Sequence, residues 1–339
     1  MNRVSVIILN WNGTHLLRKY LPSVTEHTPK ELADVVVADN GSTDASLQVL
    51  SEQFPTVKVI PLDRNYGFAE GYNRAIRAVD TPYVLLLNDD VAVSPGWLEP
   101  LTEFMDTHPD CGACQPKLLS DRNRSQFEYA GAAGGYLDSL GYPFCRGRIF
   151  ATVEADSGQY DSVAEIHWAT GACLLTRRDL YLRAGGLDAA FFAHMEEIDL
   201  CWRLRRMGCK LYCVPQSEVF HLGGASLAMG NPRKTKLNFR NSLLMLWKNL
   251  PASRRSGIIF RRQLLDGVAA LNFLLRGEWN QVKAIWEAHR EYREMRDRYY
   301  KTDEGDASQS VRLCDFSVLV QYYLKRRRTF SELEMHKMI

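Results

Sequence analysis

Four times in its first 90 residues the chain passes from a short apolar run to a stretch with helical spacing, and few folds accept that alternation. Val4 to Leu9, Val35 to Ala38, Val57 to Ile60 and Tyr83 to Leu87 have the length and content of buried strands. Between them, Leu16, Leu17, Tyr20 and Leu21 share one helical face, with Thr14 placed to cap it. Leu47, Leu50 and Phe54 share another before Pro55, and a third helix is expected from Phe68 to Val79. Apolar strands separated by amphipathic helices imply an α/β fold with a mostly parallel sheet and right-handed crossovers.

In such a sheet, ligands sit beyond the carboxyl ends of the strands. The residues that follow each strand are therefore the ones to read. The first strand ends in Asn10-Trp11-Asn12, the second in Asp39-Asn40-Gly41-Ser42, and the third leads to Asn65-Tyr66-Gly67. Asn, Asp and Ser side chains there can hydrogen-bond a nucleobase and ribose hydroxyls, although each sequence alone is an ordinary turn or helix cap. The fourth strand, Leu85-Leu86-Leu87, runs straight into Asn88-Asp89-Asp90. A carboxylate is costly to bury without a partner. Two at a strand tip suit a divalent metal bridged to a phosphate-bearing ligand.

After about Asp110 the pattern changes. Residues 121 to 163 are rich in Gly, Ser, Tyr and Arg and read as long loops with a few short strands. Ile166 to Leu175 reads as one strand, Met195 to Met207 as a helix, and Lys210 to Val214 as a strand leading to His221 and Gly223-Gly224. Glu196, Glu197 and Asp199 fall at a helix start, where acidic residues are ordinary. Met195, Ile198 and Leu200 make the neighbourhood apolar, and a carboxylate held there can act as a general base. His221, at a strand end, suits either a structural donor or a metal ligand.

From Thr235 to Tyr300 the pattern is helical. Ile258, Ile259, Leu264, Leu265, Val268, Leu271, Leu274 and Leu275 form a broad apolar face flanked by Arg254, Arg255, Arg261, Arg262 and Arg276. Such a face suits a membrane surface, the catalytic domain or a second subunit equally. No uncharged stretch is long enough to span a bilayer. The N-terminus lacks a signal peptide's basic region and cleavage site. A net charge of +2 gives no argument for nucleic acid. Cys111 and Cys114 form a lone CxxC without a second pair at zinc spacing, so the eight cysteines read as reduced thiols.

Taken together and in order, these motifs resemble the family 2 glycosyltransferases, and among them a bacterial rhamnosyltransferase-like branch. The residues that carry the likeness are Val4 to Asn12, Val37 to Asp44, Asn65 to Asn73, Leu87 to Asp90, Thr170-Gly171-Ala172, Glu196 to Arg203, and His221. The resemblance implies a GT-A fold, a Rossmann-like nucleotide-binding sheet with a C-terminal helical extension. It implies a catalytic domain over 1–234, with a nucleotide-sugar half (1–110) and an acceptor half (111–234), and an extension over 235–339 that can meet a membrane. It implies an inverting, metal-dependent transfer of a sugar, rhamnose in that branch, in cell-surface polysaccharide synthesis. Glu197 would be the base, with Glu196 as the fallback. Asn10, Asn12, Asp39, Ser42, Asn65, Gly67, Asn73, Asn88 and Asp89 would bind the donor. Trp168, Thr170, Gly171 and Asp199 would line the acceptor side. Asp90 and His221 would hold Mg²⁺ or Mn²⁺. Asn88 replaces the first Asp of the family's DxD, and Glu196-Glu197 replaces its more familiar Glu-Asp.

The expected partners are a dTDP-, UDP- or GDP-sugar and a glycan or polyprenyl-linked glycan, with the protein in the cytoplasm or on the inner face of the membrane. A nucleic-acid partner is not expected, and an oligomer is compatible. Two other readings stay open: a sugar-1-phosphate nucleotidylyltransferase, which would want a Gly-rich basic loop after the first strand, and a non-catalytic sugar-nucleotide or glycan-binding module.

Overall fold

The computed structural model describes residues 2–223, 230–302, 311–333 and 335. The first half alternates as expected: β1 (Val4–Asn10), α1 (Thr14–His27), β2 (Ala33–Asp39), α2 (Ser46–Gln53), β3 (Lys58–Pro61), α3 (Gly67–Arg77) and β4 (Tyr83–Asn88). β1 to β4 are mutually parallel, in the spatial order β3-β2-β1-β4. The order reverses at β1, so the tips of β1, β2 and β4 open onto a crevice of the kind that binds ligands in open α/β sheets.

β1 and β4 are almost wholly apolar because both of their faces are covered, whereas β3 is an exposed edge strand. Val84 and Leu86 of β4 join one core cluster, with Ala69, Tyr72, Ala75 and Ile76 of α3. Tyr83, Leu85 and Leu87 join the other, with Leu17, Leu21 and Val24 of α1. Each fully buried Leu or Ile there contributes about 1.5–3 kcal/mol of transfer free energy.

The chain continues through β5 (Val91–Val93), α4 (Glu99–Thr107), β6 (Cys111–Ser120), β7 (Asn123–Phe127), β8 (Gly135–Leu137), β9 (Pro143–Cys145), β10 (Arg148–Ile149), β11 (Thr152–Val153), β12 (Ala164–Ile166), β13 (Cys173–Arg177), α5 (Arg178–Arg183), α6 (Glu196–Arg206) and β14 (Lys210–His221). β13 pairs antiparallel with both β4 and β6, while β14 runs parallel to β6 and takes β12 and β5 on antiparallel. β8 to β11 form a small separate sheet within the loop-rich segment. The eight cysteines are free, and seven of them are buried.

Three sequence expectations change. Thr14 is the first residue of α1 rather than its cap, and Asp44 supplies the capping carboxylate from across the loop to the Thr14 backbone N–H (3.1 Å). The single strand expected over Ile166–Leu175 is two, β12 and β13, split by a turn in which Thr170 Oγ1 accepts the Ala172 N–H (3.2 Å). β14 is longer than expected and reaches His221 through an irregularity between Cys213 and Glu218.

The C-terminal helices are α7 (Pro232–Asn249), α8 (Ala252–Leu275) and α9 (Trp279–Met295). The expected boundary at 234/235 falls inside α7, whose cap is Asn231. α7 packs mainly on α9 and α8 and also meets α6. Among the described residues, no helix is long and apolar enough to cross a membrane. Gly224, singled out in the sequence, lies outside the described residues.

Candidate active site

Three tips meet at the crevice, and backbone pairing brings them together. The β5–β14 register sets His221 opposite Val91, directly after Asp90. The Leu222 N–H donates to the Asp90 carbonyl (3.0 Å), and the Asn88 N–H to the Ala172 carbonyl (3.0 Å). The Thr170-Gly171-Ala172 turn therefore lies against the acidic tip. On its other side, a Cβ built on Gly171 would sit 3.6 Å from Glu197 Cβ and 3.3 Å from the Phe68 ring. Acidic tip, glycine turn and α6 N-terminus form one continuous wall.

At the acidic end, Asp90 is buried, with Oδ1 3.0 Å from His221 Nε2. On the far side of the imidazole, Nδ1 lies 3.3 Å from Glu128 Oε1. Asn88 Nδ2 comes within 3.4 Å of Nε2. Burial pulls the imidazole pKa down, but Glu128 and Asp90 outweigh it and hold it up at about 10. So charged, the ring carries a proton on Nε2, and a divalent ion beside Asp90 would have to displace that proton before His221 could ligate it. Asp89 is pushed up to about 7 by burial and then by the charge of Asp90, with His221 acting in the opposite sense. Among the described residues, no three His, Cys, Asp or Glu side chains could hold a metal by themselves. A pair such as Asp90 and His221 fits a divalent ion that draws its other ligands from a diphosphate and water. Gly13 keeps the floor open: a Cβ there would come 2.5 Å from Asn10 Oδ1, which has no partner, and 2.8 Å from Asp89 Oδ2.

At the other end stand Glu196 and Glu197. Glu196 is the more buried, and burial followed by the charge of Glu197 holds its pKa well above the carboxylate range. Glu197 is raised to about 7 by burial, against backbone N–H groups that favour its charged form. Each leaves Oε2 without a partner. Glu197 is partly exposed while Glu196 is buried, although the unpartnered Oε2 of each is itself shielded from solvent.

The loop leading into this helix is bent hard. Phe192, His194 and Met195 take φ of 66°, 72° and 72°, a region costly for side chains of this size. Asn241 of α7, fully buried, holds the loop by donating through Nδ2 to the carbonyls of Phe191 (3.0 Å), Ala193 (2.9 Å) and His194 (2.7 Å). Arg240 donates to Ala190 and Phe191 and pairs with Glu291 at 2.8 Å. Neither Asn241 nor Glu128 stood out in the sequence. Both act through partners distant in the chain, and no local pattern announces them.

The remaining sequence candidates divide into two groups. Asn10, Asn12, Asp39 and Ser42 do gather at the β1 and β2 tips. Asn10 Nδ2 donates to Asp39 Oδ1 (2.9 Å) and Ser42 Oγ (3.1 Å), the Ser42 N–H donates to Asp39 Oδ2 (3.0 Å), and Asn12 Oδ1 accepts the Thr43 N–H (2.7 Å). Asn65 accepts the Gly67 N–H (2.8 Å), setting the turn at the start of α3. Gly67 has φ 77°, and a Cβ there would strike the Phe192 ring at 2.7 Å.

Four others turn inward. Asn73 bonds to both backbone groups of Leu187 and accepts from Tyr181. Trp168 is buried, with Nε1 on the Tyr136 carbonyl (3.0 Å). Thr170 is buried beside Gln115, its N–H on Gln115 Oε1 (3.0 Å). Asp199 is fully buried. Burial raises its pKa, yet Arg203 and Lys248 hold it below the usual value, and Asn249 donates to Oδ1 at 2.7 Å. Asp199 thus fastens α6 to α7.

With this geometry in place, comparison with known proteins is informative. The profile described as "Glycosyl transferase family 2" matches residues 5–180. An N-acetylglucosaminyl-diphospho-decaprenol L-rhamnosyltransferase of Mycobacterium tuberculosis is 31% identical over 225 residues, covering 62% of this chain and 72% of that protein. Rhamnosyltransferase WbbL of Escherichia coli is 24% identical over 227 residues, covering 64% and 83%. Among solved structures, a mannosyltransferase of Pyrobaculum calidifontis, in complex with GDP-Man and Mn²⁺, aligns with a TM-score of 0.53 at 14% identity, covering 96% of this chain and 82% of that one. At that identity the likeness speaks for the fold alone.

Proposed function

Because the chain belongs to glycosyl transferase family 2, and is a glycosyltransferase, we propose that it moves a sugar, rhamnose foremost, from a nucleotide donor to a hydroxyl of a lipid-linked glycan, with inversion. The rhamnose and the lipid-linked acceptor rest on the named activity of the mycobacterial relative. The observation that carries the chemistry is the pair of unlike ends across the Gly171 turn: a carboxyl raised to about 7 with an unpartnered oxygen on one side, and the Asp90–His221 pair on the other.

Asn10, Asn12, Asp39 and Ser42 would shape the nucleoside end of the pocket. Asp90 and His221 would hold a divalent ion, Mg²⁺ or Mn²⁺, which when bound supplies Lewis-acid stabilisation of the diphosphate. Glu197 would take the proton of the acceptor hydroxyl. The freed oxygen attacks the anomeric carbon from the face opposite the nucleotide, and the carbon–oxygen bond to the diphosphate breaks with its electrons leaving on the diphosphate. A pKa near 7 suits this work, since the group is half ionised at neutral pH and still basic enough to accept a proton. The same wall would seat the acceptor, with Gly171 giving room beside Glu197.

The nucleotidylyltransferase and binding-module readings have no counterpart feature here. No Gly-rich basic loop follows β1, and the family is one of glycosyl transferases.

Glu197→Gln keeps the shape and removes the base. We expect donor binding, read as a thermal shift against dTDP-, UDP- and GDP-sugars with Mn²⁺, to persist while transfer falls by about 10²–10⁴-fold. Near-normal transfer by Glu197→Gln would remove Glu197 from the role.

A further inference from the structure

α8 is built inside out. Its protein-facing side carries charge beside Ile258 and Ile259: Arg255 donates to the Leu250 carbonyl (2.9 Å), Arg262 to the Leu140 carbonyl (3.1 Å) and Ser242 Oγ (3.0 Å), and Asp266 pairs with His289 Nε2 (2.9 Å). All three charged residues are buried. The outward side is apolar. Phe260, Leu264, Val268, Leu271 and Leu275 are 62%, 58%, 63%, 53% and 79% exposed, and Trp279 follows at the start of α9, also exposed. At about 100° per residue, those five fall within an arc of about 80°. Gly257 and Gly267, on the same side, have nothing within 4 Å of a would-be Cβ. A helix on a water-facing surface has the opposite arrangement.

The exposed charges along α8 are all cationic, with Glu278 an exposed carboxylate between its end and Trp279. Arg254, Arg261 and Arg276 are exposed beside the apolar face, and α8 exposes no carboxylate, since its one acidic residue is the buried Asp266. A second copy docking the same face about a twofold would bring like charges together. An anionic lipid surface would neutralise them. The tryptophan at the helix end is of the kind that settles at head-group level. With Arg255, Arg262 and Asp266 along its inner side, α8 cannot span a bilayer and must lie in the interface plane.

We propose that the outward face of α8 seats the enzyme on an anionic membrane surface. The inference rests on the lipid-linked acceptor proposed above for its purpose, and its test uses neither donor nor acceptor, so the two readings fail separately. Through Arg262 and Ser242 the seat is tied to α7, whose next residue, Asn241, holds the loop before Glu197. The seat and the site therefore share one frame.

The test is flotation of the full chain with vesicles of phosphatidylcholine containing about one-third phosphatidylglycerol, against phosphatidylcholine alone. The protein should float with the anionic vesicles, and less so as salt rises. The double variant Leu264→Glu/Leu271→Glu should lower vesicle binding at least about tenfold. Its melting temperature should stay unchanged, since both side chains face outward. Arg254→Glu/Arg261→Glu should erase the preference for anionic lipid. Failure of the unaltered protein to float, or flotation of the leucine variant like the parent, overturns the proposal. So does a dimer that the leucine variant dissolves in a protein that ignores vesicles, because the face would then belong to a second copy.

Discussion

At the scale of single residues, the site is a set of carboxyl groups pushed apart by their surroundings. Asp199 and Glu197 sit two positions apart on α6. Asp199 has Arg203 and Lys248 and stays ionised, while Glu197 has an unpartnered oxygen and rises to about 7. As the base must be the carboxylate, turnover should be low below pH 6, climb through about 7 and level off above. Asp89 rises to a similar value, but its shift comes from burial and Asp90, both beside the metal pair. A pH–rate profile at saturating Mn²⁺ separates them, because a cation there lowers Asp89 and leaves Glu197 in place. An acidic limb with midpoint near 7 that persists at saturating metal supports Glu197, and a flat profile down to pH 5.5 contradicts it. The stability sign is the reverse. The folded chain holds the Glu197 proton more tightly than the unfolded chain, whose carboxyl titrates near 4.5. That contribution is complete below 4.5 and is lost as pH rises through 7.

Residues were legible to the degree that their neighbours in sequence explain them. Asp39, Asp89 and Asp90 were readable because an apolar strand ending in Asx residues admits few uses. Asn73, Trp168 and Asp199 bond inward to Leu187, Tyr136 and Lys248, and the Thr170 N–H bonds Gln115, contacts that the sequence does not display. A polar residue inside an apolar stretch bonds inward as readily as it binds a ligand, and spacing alone does not distinguish the two.

At the scale of elements, α7 is the piece the sequence undersold. Its periodicity announced a helix but not that Arg240 and Asn241 reach the bend before α6. The contact spans about fifty residues of chain, and its partners are backbone carbonyls, which carry no sequence signal. Three non-glycine residues with positive φ cost on the order of 1–3 kcal/mol each, so the bend needs such a clamp. Asn241→Ala leaves the three carbonyls without this donor. We expect about 1–3 kcal/mol lower stability. We also expect kcat to fall about tenfold or more with donor KM little changed, because the loop aims Glu197 and not the nucleotide pocket. Unchanged kcat at reduced stability would make Asn241 a fold residue only. By the same reasoning, we propose that the catalytic unit extends through α7 rather than ending at residue 234.

At the scale of the whole molecule, sequence and structure agree where parallel strands dictate the layout. The parallel direction of β1 to β4 follows from alternating strands and helices, while their order, β3-β2-β1-β4, and the crevice it makes come from the structure. The mixed half, with β13 running antiparallel between β4 and β6, was not readable. Its longest strands, β6 and β14, lie far apart in the chain, and their pairing carries no local signal. That half nonetheless delivers the glycine turn, His221 and Glu128 to the crevice. The central claim is that this convergence places a divalent ion at Asp90 and His221, against the diphosphate of the donor. The most direct test is anomalous diffraction from crystals grown with Mn²⁺ and a nucleoside diphosphate, alongside the Asp90→Asn variant. The account predicts a manganese peak bound by Asp90 and His221 Nε2 and touching the diphosphate, strongly weakened in the variant. A peak elsewhere in the molecule, or a bound diphosphate with no metal near Asp90, would contradict it.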